Sequence, residues 1–149
     1  MEDQREPQRR LRLMRQVAVR ADALAGQGEE LGNKASASLG DRRRSQLTGL
    51  ESIANSTFKL TDIWDYIKVR TARSEANKDW RANGFGTELL QFLQSNLAEH
   101  AKGIAVAERL SSEDQRQVQL LLTREFIGQV VAHYEFACIK ERGAIGERH

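Results

Sequence analysis

The apolar positions along the chain follow a helical period over most of its length. In residues 8–25, apolar side chains recur every three or four positions and face one way, while arginines fill the other faces. Later segments carry comparable stripes of Leu, Ile, Val and aromatic residues. The pattern predicts five helices, over residues 8–25, 42–56, 60–73, 87–103 and 111–143.

Local signals suggest where these helices begin and end. Thr61 is a good N-cap for the third helix, and Ser111 or Ser112 for the last, each with acidic residues in the first turn that suit the helix dipole. Gly103 and Gly143 are glycines of the kind that follow a helix C-terminus. We therefore expect the fourth and fifth helices to end at these two glycines.

The fold class predicted from these patterns is all-α, a single bundle of about five helices. No run of β-branched residues indicates a strand, and Pro7, the one proline, precedes every long helix. Residues 26–41, "GQGEELGNKASASLGD", are rich in glycine and small polar residues, which predicts a flexible loop. The predicted organisation is a basic N-terminal helix or arm at 1–25, that loop at 26–41, the bundle at 42–143 and a disordered tail at 144–149.

The composition indicates the number of domains, the class of protein and the cellular compartment. A length of 149 residues suits one domain, and 40% apolar with 30% charged residues suits a globular protein of high charge content. The single cysteine, Cys138, permits no disulfide within the chain, which favours a reducing compartment. No segment has the roughly 20 apolar residues of a membrane span, nor the pattern of a signal peptide. We therefore expect a cytoplasmic protein without a membrane partner.

Catalytic and metal-binding patterns are missing from the sequence. The three histidines stand apart, without acidic or cysteine partners at metal-ligand spacing, and no phosphate-binding glycine motif of the P-loop type occurs. The "GFG" at 84–86 precedes a helix rather than following a strand, so a nucleotide site there is not indicated. Cys138, at the apolar end of the last helix, fits packing better than nucleophilic catalysis. We expect no enzyme, no metal and no cofactor.

Charge is distributed unevenly. The net charge is only +2, but residues 1–82 hold 16 Lys and Arg against 12 Asp and Glu, whereas the remainder is slightly acidic. The stretch "IKVRTARSEANKDWRANGFG", residues 66–85, gathers five cations around Trp80, and "DRRRS", residues 41–45, adds three more. Such a distribution predicts a basic face at one end of the molecule.

Two interpretations of the basic stretch remain open. Cations grouped with an aromatic residue suit a sequence-independent grip on a nucleic-acid backbone, and amides at residues 84–87 would add donors for phosphate. Alternatively, cations in the last turns of a helix complement its dipole, and the loop is merely solvated. The "DRRRS" cluster precedes a helix, so the dipole does not account for it. Trp64, beside Ile63 and Ile67, fits core packing. Trp80, in a polar loop, could either stack on an unpaired base or plug the bundle.

Three segments resemble a known family, the small all-helical subunits of type III CRISPR effector complexes. "RRRSQLTGLESIA" resembles the Ser/Thr-Gln-apolar entry into a central helix of that family. "NGFGTELLQFLQS" is similar to the Gly-then-Leu/Phe helix of one branch, and "EFIGQVVAHYEFACIKERG" to the closing helix of another. Together they cover about a third of the chain. The N-terminal arm and the Gly/Ser-rich segment match neither branch.

The resemblance implies a non-catalytic structural subunit of an antiviral ribonucleoprotein complex, which contacts RNA phosphates, of the crRNA or the target strand, and packs against like subunits and other subunits. The nucleic-acid-binding residues would be Arg42, Arg43, Arg44, Lys68, Arg70, Arg73, Lys78, Trp80 and Arg81. The alternative is a helical protein-protein adaptor or regulator that oligomerises through its long last helix and has no nucleic-acid role.

Overall fold

A computed structural model describes the backbone of residues 5–146 and the side chains of residues 5–141. Its described part consists of helices and short connections, with no strand. The α-helices are α1 (Arg5–Ala23), α2 (Ala25–Leu39), α3 (Arg44–Ser56), α4 (Leu60–Arg73), α5 (Phe85–Gln91), α6 (Leu97–Glu108) and α7 (Ser112–Gly146). A π-helical turn, Phe92–Asn96, joins α5 to α6, so that these two form one continuous rod. Two short 3-10 segments, Asp41–Arg43 and Asp79–Gly84, precede α3 and α5.

The long helix α7 is the centre of the bundle, and α1, α2, α3 and α6 pack around it. The main apolar core joins α7 to helices α2 to α5, and its largest fully buried side chains include Trp80, Tyr134, Phe85 and Phe126. A smaller cluster of Val17, Ala101, Ile104, Val118 and Leu122 lies under α1, between α6 and α7. The all-α class is confirmed, and residues 5–146 form six helical rods rather than about five.

The loop predicted at 26–41 is wrong, because residues 25–39 form α2, which packs more extensively on α7 than any other helix does. Its glycines allow this close approach. A Cβ at Gly32 would lie 2.5 Å from His133 Cβ and 2.8 Å from the Val130 carbonyl oxygen, and one at Gly28 would lie 2.7 Å from Gln129 Oε1. The burial of Leu31, Ala35 and Leu39 offsets the low helix propensity of Gly, Ser and Asn. Helix α1 is therefore followed directly by α2, a helix of the main core, and not by a flexible loop.

Several predicted helix ends also differ from the structure. α4 begins at Leu60 with no side-chain cap, so Thr61 is not its N-cap. In the turn before the helix, the Thr57 hydroxyl accepts a hydrogen bond from the Lys59 amide at 3.0 Å. α6 continues past Gly103 to Glu108 and ends at Arg109 in the left-handed conformation. Ser111 is confirmed as the cap of α7, since its Oγ accepts from the Asp114 amide at 3.1 Å.

Helix α7 likewise continues past Gly143 to Gly146. Residues 144–146 of the predicted disordered tail are therefore helical, and residues 147–149 lie outside the described part of the chain. The first four residues of the predicted N-terminal arm lie outside it as well. The rest of the predicted arm is α1, which buries Val17 and Ala21 and leaves Leu11, Met14 and Val19 exposed.

The π turn between α5 and α6 is held from inside the bundle. Gln119 of α7, which is buried, donates from Nε2 to the Leu93 carbonyl oxygen at 3.2 Å. Beside it the rings of Phe92 and Phe126 stack with centroids 4.4 Å apart. A π turn shifts the helical hydrogen-bond pattern, and here a buried side chain bonds one of its carbonyl groups. The α5 end of this rod packs against the 3-10 segment Asp79–Gly84.

Candidate anion-binding surface

Asp79 joins the two 3-10 segments. Its carboxylate accepts a hydrogen bond from Arg42 Nη2 at 3.0 Å, and its other oxygen lies 3.4 Å from Arg43 Nε in an ionic contact. Asp79 is only 9% exposed and has a positive φ of 52°, a conformation that Asp tolerates better than most residues. The segment 41–43 is therefore fixed against the segment 79–84.

Electrostatics favour the ionised form of Asp79. Burial alone would raise the pKa of this carboxyl, but the guanidinium groups of Arg42 and Arg43 outweigh burial and hold its pKa below the usual range. The buried negative charge thus has two positive partners. One of them, Arg42, keeps 70% of its side chain exposed and still presents its guanidinium to solvent.

Trp80 is fully buried in the main core, so of its two predicted roles the structure shows the plug in the bundle, and its predicted contact with nucleic acid is wrong. Its Nε1 donates to Gln46 Oε1 at 2.8 Å, and its ring meets Tyr66 edge-on, with centroids 6.4 Å apart, and Phe85 at 5.3 Å. Tyr66 donates to the Gln46 carbonyl oxygen at 2.6 Å. Trp80 therefore anchors the 79–84 segment to α3 and α4.

The anchoring of Trp80 places several exposed cations around the same junction. The Trp80 amide donates to Ser74 Oγ at 3.2 Å, and Arg81 Nη1 reaches the Ser74 carbonyl oxygen at 3.4 Å. Ser74 directly follows Arg73, the exposed last residue of α4, and Arg70 lies one turn earlier with its guanidinium 5.2 Å from the Tyr66 ring centroid. We call the following residues the junction surface: Arg42, Arg43, Arg70, Arg73, Lys78 and Arg81.

The junction surface keeps a positive balance. Asp79 is shared by two of its arginines, and Glu75 lies 3.2 Å from Lys78 in an exposed pair that water screens strongly. Arg73 has no ionic partner within the described residues, and Arg81 contacts only a carbonyl oxygen. Exposed guanidinium groups of this kind can donate two hydrogen bonds to one phosphate.

Two of the predicted cations do not belong to this surface. Arg44 is directed toward α7, where it pairs with Glu135 and Asp41 and lies 5.8 Å from the Tyr134 ring centroid. The hydrogen bond to Asp41 raises the pKa of Arg44 above its ordinary value. Lys68 lies about 160° around α4 from Arg70, because each residue turns an α-helix by about 100°. It is 3.9 Å from Asp65 on that separate face.

Of the amides at residues 84–87 expected to bind phosphate, those of Phe85 and Gly86 belong to buried residues. The Phe85 amide is bonded to the carbonyl groups of Trp80 and Ala82, and Phe85 and Gly86 are buried. A Cβ at Gly86 would lie 2.1 Å from Thr71 Oγ1, so this glycine serves the close approach of α5 to α4. Trp64, predicted to be a core residue, packs half-buried against the main core.

Sequence reasoning missed the residues that build the junction. Gln46 binds both Trp80 and Tyr66, and Asp79 is the buried carboxylate between the two arginines. Ser38 of α2 adds a further link, donating to the Ala82 carbonyl oxygen at 3.0 Å and accepting from Asn83 Nδ2 at 3.1 Å. A polar residue flanking a tryptophan within a basic loop is a signal that could have indicated such an anchor.

Other kinds of site were sought as well. Among the described residues, no group of three His, Cys, Asp or Glu side chains is placed to hold a metal ion. Within the same part of the chain, none of the helices combines the length and apolar content needed to cross a bilayer. Cys138 is buried, with its Sγ 3.5 Å from Ser36 Oγ. In comparisons with protein-family models, curated proteins and solved structures, nothing matched this chain.

Proposed function

We propose that this chain is a non-catalytic structural subunit that contacts RNA phosphates through the junction surface. The observation that carries the proposal is the gathering of exposed cations from α4 and both 3-10 segments at one junction, where Asp79 binds Arg42 and Arg43, and Arg81 contacts the residue after Arg73. A surface held by Asp79 and Trp80 is ordered before any ligand arrives, which lowers the entropic cost of binding. Because the junction surface consists of cations and Trp80 is buried, we expect it to contact the phosphate backbone of the RNA rather than the bases.

The resemblance to the small subunits of type III CRISPR complexes suggests where such a subunit would act. In that setting the RNA would be a crRNA or its target strand, the neighbours would be other subunits of one cytoplasmic antiviral complex, and the protein would need no cofactor. This assignment is supported by the quoted sequence segments and by the helical architecture alone. The phosphate contacts are supported independently by the junction surface.

Charge reversal at the junction tests the proposal. Arg73, Lys78 and Arg81 are exposed and hold no buried partner, so changing all three to Glu leaves the Asp79 pairs intact. A matched control reverses Lys59, Lys68 and Lys102, which are exposed elsewhere on the molecule. We expect the junction variant to lose at least about tenfold in affinity for single-stranded RNA, and the control, equal in net charge, to lose much less.

Binding would be measured by fluorescence anisotropy with a labelled oligonucleotide of mixed sequence. Equal losses in the two variants would mean that only net charge matters and would refute a localised surface. No binding by the wild-type chain at low salt would refute the proposal for the isolated subunit. Circular dichroism of both variants would establish that each remains folded.

A second candidate function, a protein-protein adaptor, is favoured by a different observation. The large apolar side chains of Phe136 and Ile139, on the outer face of α7, are each 57% exposed, and Leu11 and Met14 of α1 are about half exposed. Exposed apolar groups that cluster on one face are typical of an interaction surface. Loss of RNA binding would leave this function untouched, since none of these residues belongs to the junction surface.

A further inference from the structure

One face of α7 remains open to solvent along much of the helix. Glu125, Gly128, Ala132, Phe136 and Ile139 follow one another at intervals of three and four residues, so they lie in one line along the helix. Glu125, Ala132, Phe136 and Ile139 are exposed, and the other faces of α7 pack on its neighbours. Two bulky apolar side chains therefore stand at one end of this line, and small residues lie in the middle.

The other half of the same face is the floor of a groove. Met14 and Val17 of α1 form one wall, and Glu51 and Asn55 of α3 form the other. The cavity between them has a volume of about 440 Å³. Gly128 lines this groove, and a Cβ added to it would meet nothing within 4 Å. The groove thus offers room above Gly128 for a side chain from outside.

The two halves of this face are complementary to each other. If a second α7 lies antiparallel and crosses at Ala132, residues whose numbers add to about 264 come opposite one another. Phe136 of each copy then faces Gly128 of the other, and Ile139 faces the neighbourhood of Glu125. One two-fold axis produces both sets of contacts, as in an isologous dimer. Small residues at the crossing allow the two helices to approach closely.

Charge supports the same register. Lys140 lies beside Phe136, with its Nζ 4.7 Å from the ring centroid, and Glu125 is exposed at the groove. Within the described part of the chain neither side chain has an ion-pair partner. In the antiparallel arrangement Lys140 of one copy comes opposite Glu125 of the other, twice per dimer. A partner helix of unrelated sequence would have no reason to match both the pocket and the charge.

We propose that a second copy of this chain docks antiparallel on this face of α7, with Phe136 inserted above Gly128 and Lys140 paired with Glu125. The proposal goes beyond RNA contact and does not rest on it, because this face contains no residue of the junction surface. An RNA-binding failure would leave it standing, and a monomeric chain would leave RNA binding standing.

A charge-swap cycle tests the register. Glu125→Lys and Lys140→Glu each place like charges together, and the double variant restores opposite charges in the reversed order. We expect each single change to weaken the dimer at least about tenfold and the double change to recover most of that loss. Sedimentation equilibrium of nucleic-acid-free protein over a range of concentrations would measure the dissociation constants. Both residues are exposed, so these variants should fold, and circular dichroism would establish this.

Cross-linking tests the axis independently. Ala132→Cys places a thiol where the two copies cross, so mild oxidation should yield a disulfide-linked dimer. Ala72→Cys, on the exposed side of α4, is the matched control and should not cross-link, and the native Cys138 is buried. A wild-type chain that stays monomeric at about 100 µM would overturn the proposal. So would single charge changes that leave dimerisation unaffected, or equal cross-linking at the two introduced cysteines.

Discussion

Replacing Asp79 tests how the junction surface is held together. The Asp79→Asn variant keeps the shape of the side chain and its tolerance of a positive φ but removes the charge that Arg42 and Arg43 share. Arg42 is largely exposed, so water recovers much of what its guanidinium loses. We therefore expect Asp79→Asn to lower the free energy of unfolding by about 1 kcal/mol, below the roughly 1.5–3 kcal/mol of a hydrogen bond to a charged group that water does not screen.

Comparison with the Asp79→Ala variant separates the effect of the lost charge on stability from the effect of the backbone conformation. Alanine loses the same ionic contacts and is also less tolerant of the left-handed conformation at φ 52°, which adds about 1 kcal/mol. The expected total is about 2 kcal/mol, or a fall in melting temperature of roughly 4–8 °C for a chain of this size. Urea and thermal denaturation at pH 7, followed by far-ultraviolet circular dichroism, would measure both variants.

The dependence on pH identifies the charge as the cause. Because the pKa of Asp79 is lowered in the folded state, its carboxylate contributes stability above the unfolded pKa of about 3.9, and this stability is lost as pH falls through the folded pKa. The difference between wild type and Asp79→Asn should be constant from pH 5 to 8 and should shrink below about pH 4. A difference that does not change with pH would refute the ionic account, and equal effects of Asn and Ala would refute the backbone account.

Two further predictions concern helix packing. Gly32→Ala should destabilise the fold by about 1–3 kcal/mol, because its Cβ would overlap His133 and α7 backbone, whereas Gly26→Ala on the same helix, with open space around it, should be neutral or slightly stabilising in denaturation experiments. His100 Nδ1 lies 3.2 Å from Arg20 Nη1, and burial together with this cation lowers the pKa of His100. Stability should therefore decrease as pH falls below about 6.5, and His100→Gln should remove that part of the decrease.

The sequence predicted the helical class correctly because its apolar spacing is unambiguous in five segments. Helix α2 was not predicted, because the glycine and small polar content of residues 26–41 was given more weight than the spacing of the apolar residues there. Leu24, Leu31, Ala35 and Leu39 do follow a helical stripe, and Gly28 and Gly32 lie on the side that faces α7. Small residues at such intervals can mark close helix packing as well as a loop, and the difference depends on a partner helix that is distant in sequence.

The basic end of the molecule was predicted in part. Cations near residues 41–45 and 66–85 do meet around one junction, but their individual roles depended on partners far along the chain. Arg44 is bound by Glu135, 91 residues away, and Trp80 by Gln46, 34 residues away. Such pairings are tertiary, so neither composition nor local periodicity could distinguish an anchoring cation or aromatic from one that is available to a ligand.

The salt dependence of RNA binding tests the central claim most directly. A junction surface that engages about four phosphates should give a slope of about −3 in log affinity against log salt for a single strand. Neutralising Arg73, Lys78 and Arg81 with Ala should remove about three contacts and reduce that slope to about −1. The account predicts this reduction for the junction variant and an unchanged slope when Lys59, Lys68 and Lys102 are neutralised instead. Identical slopes in the two variants would contradict it.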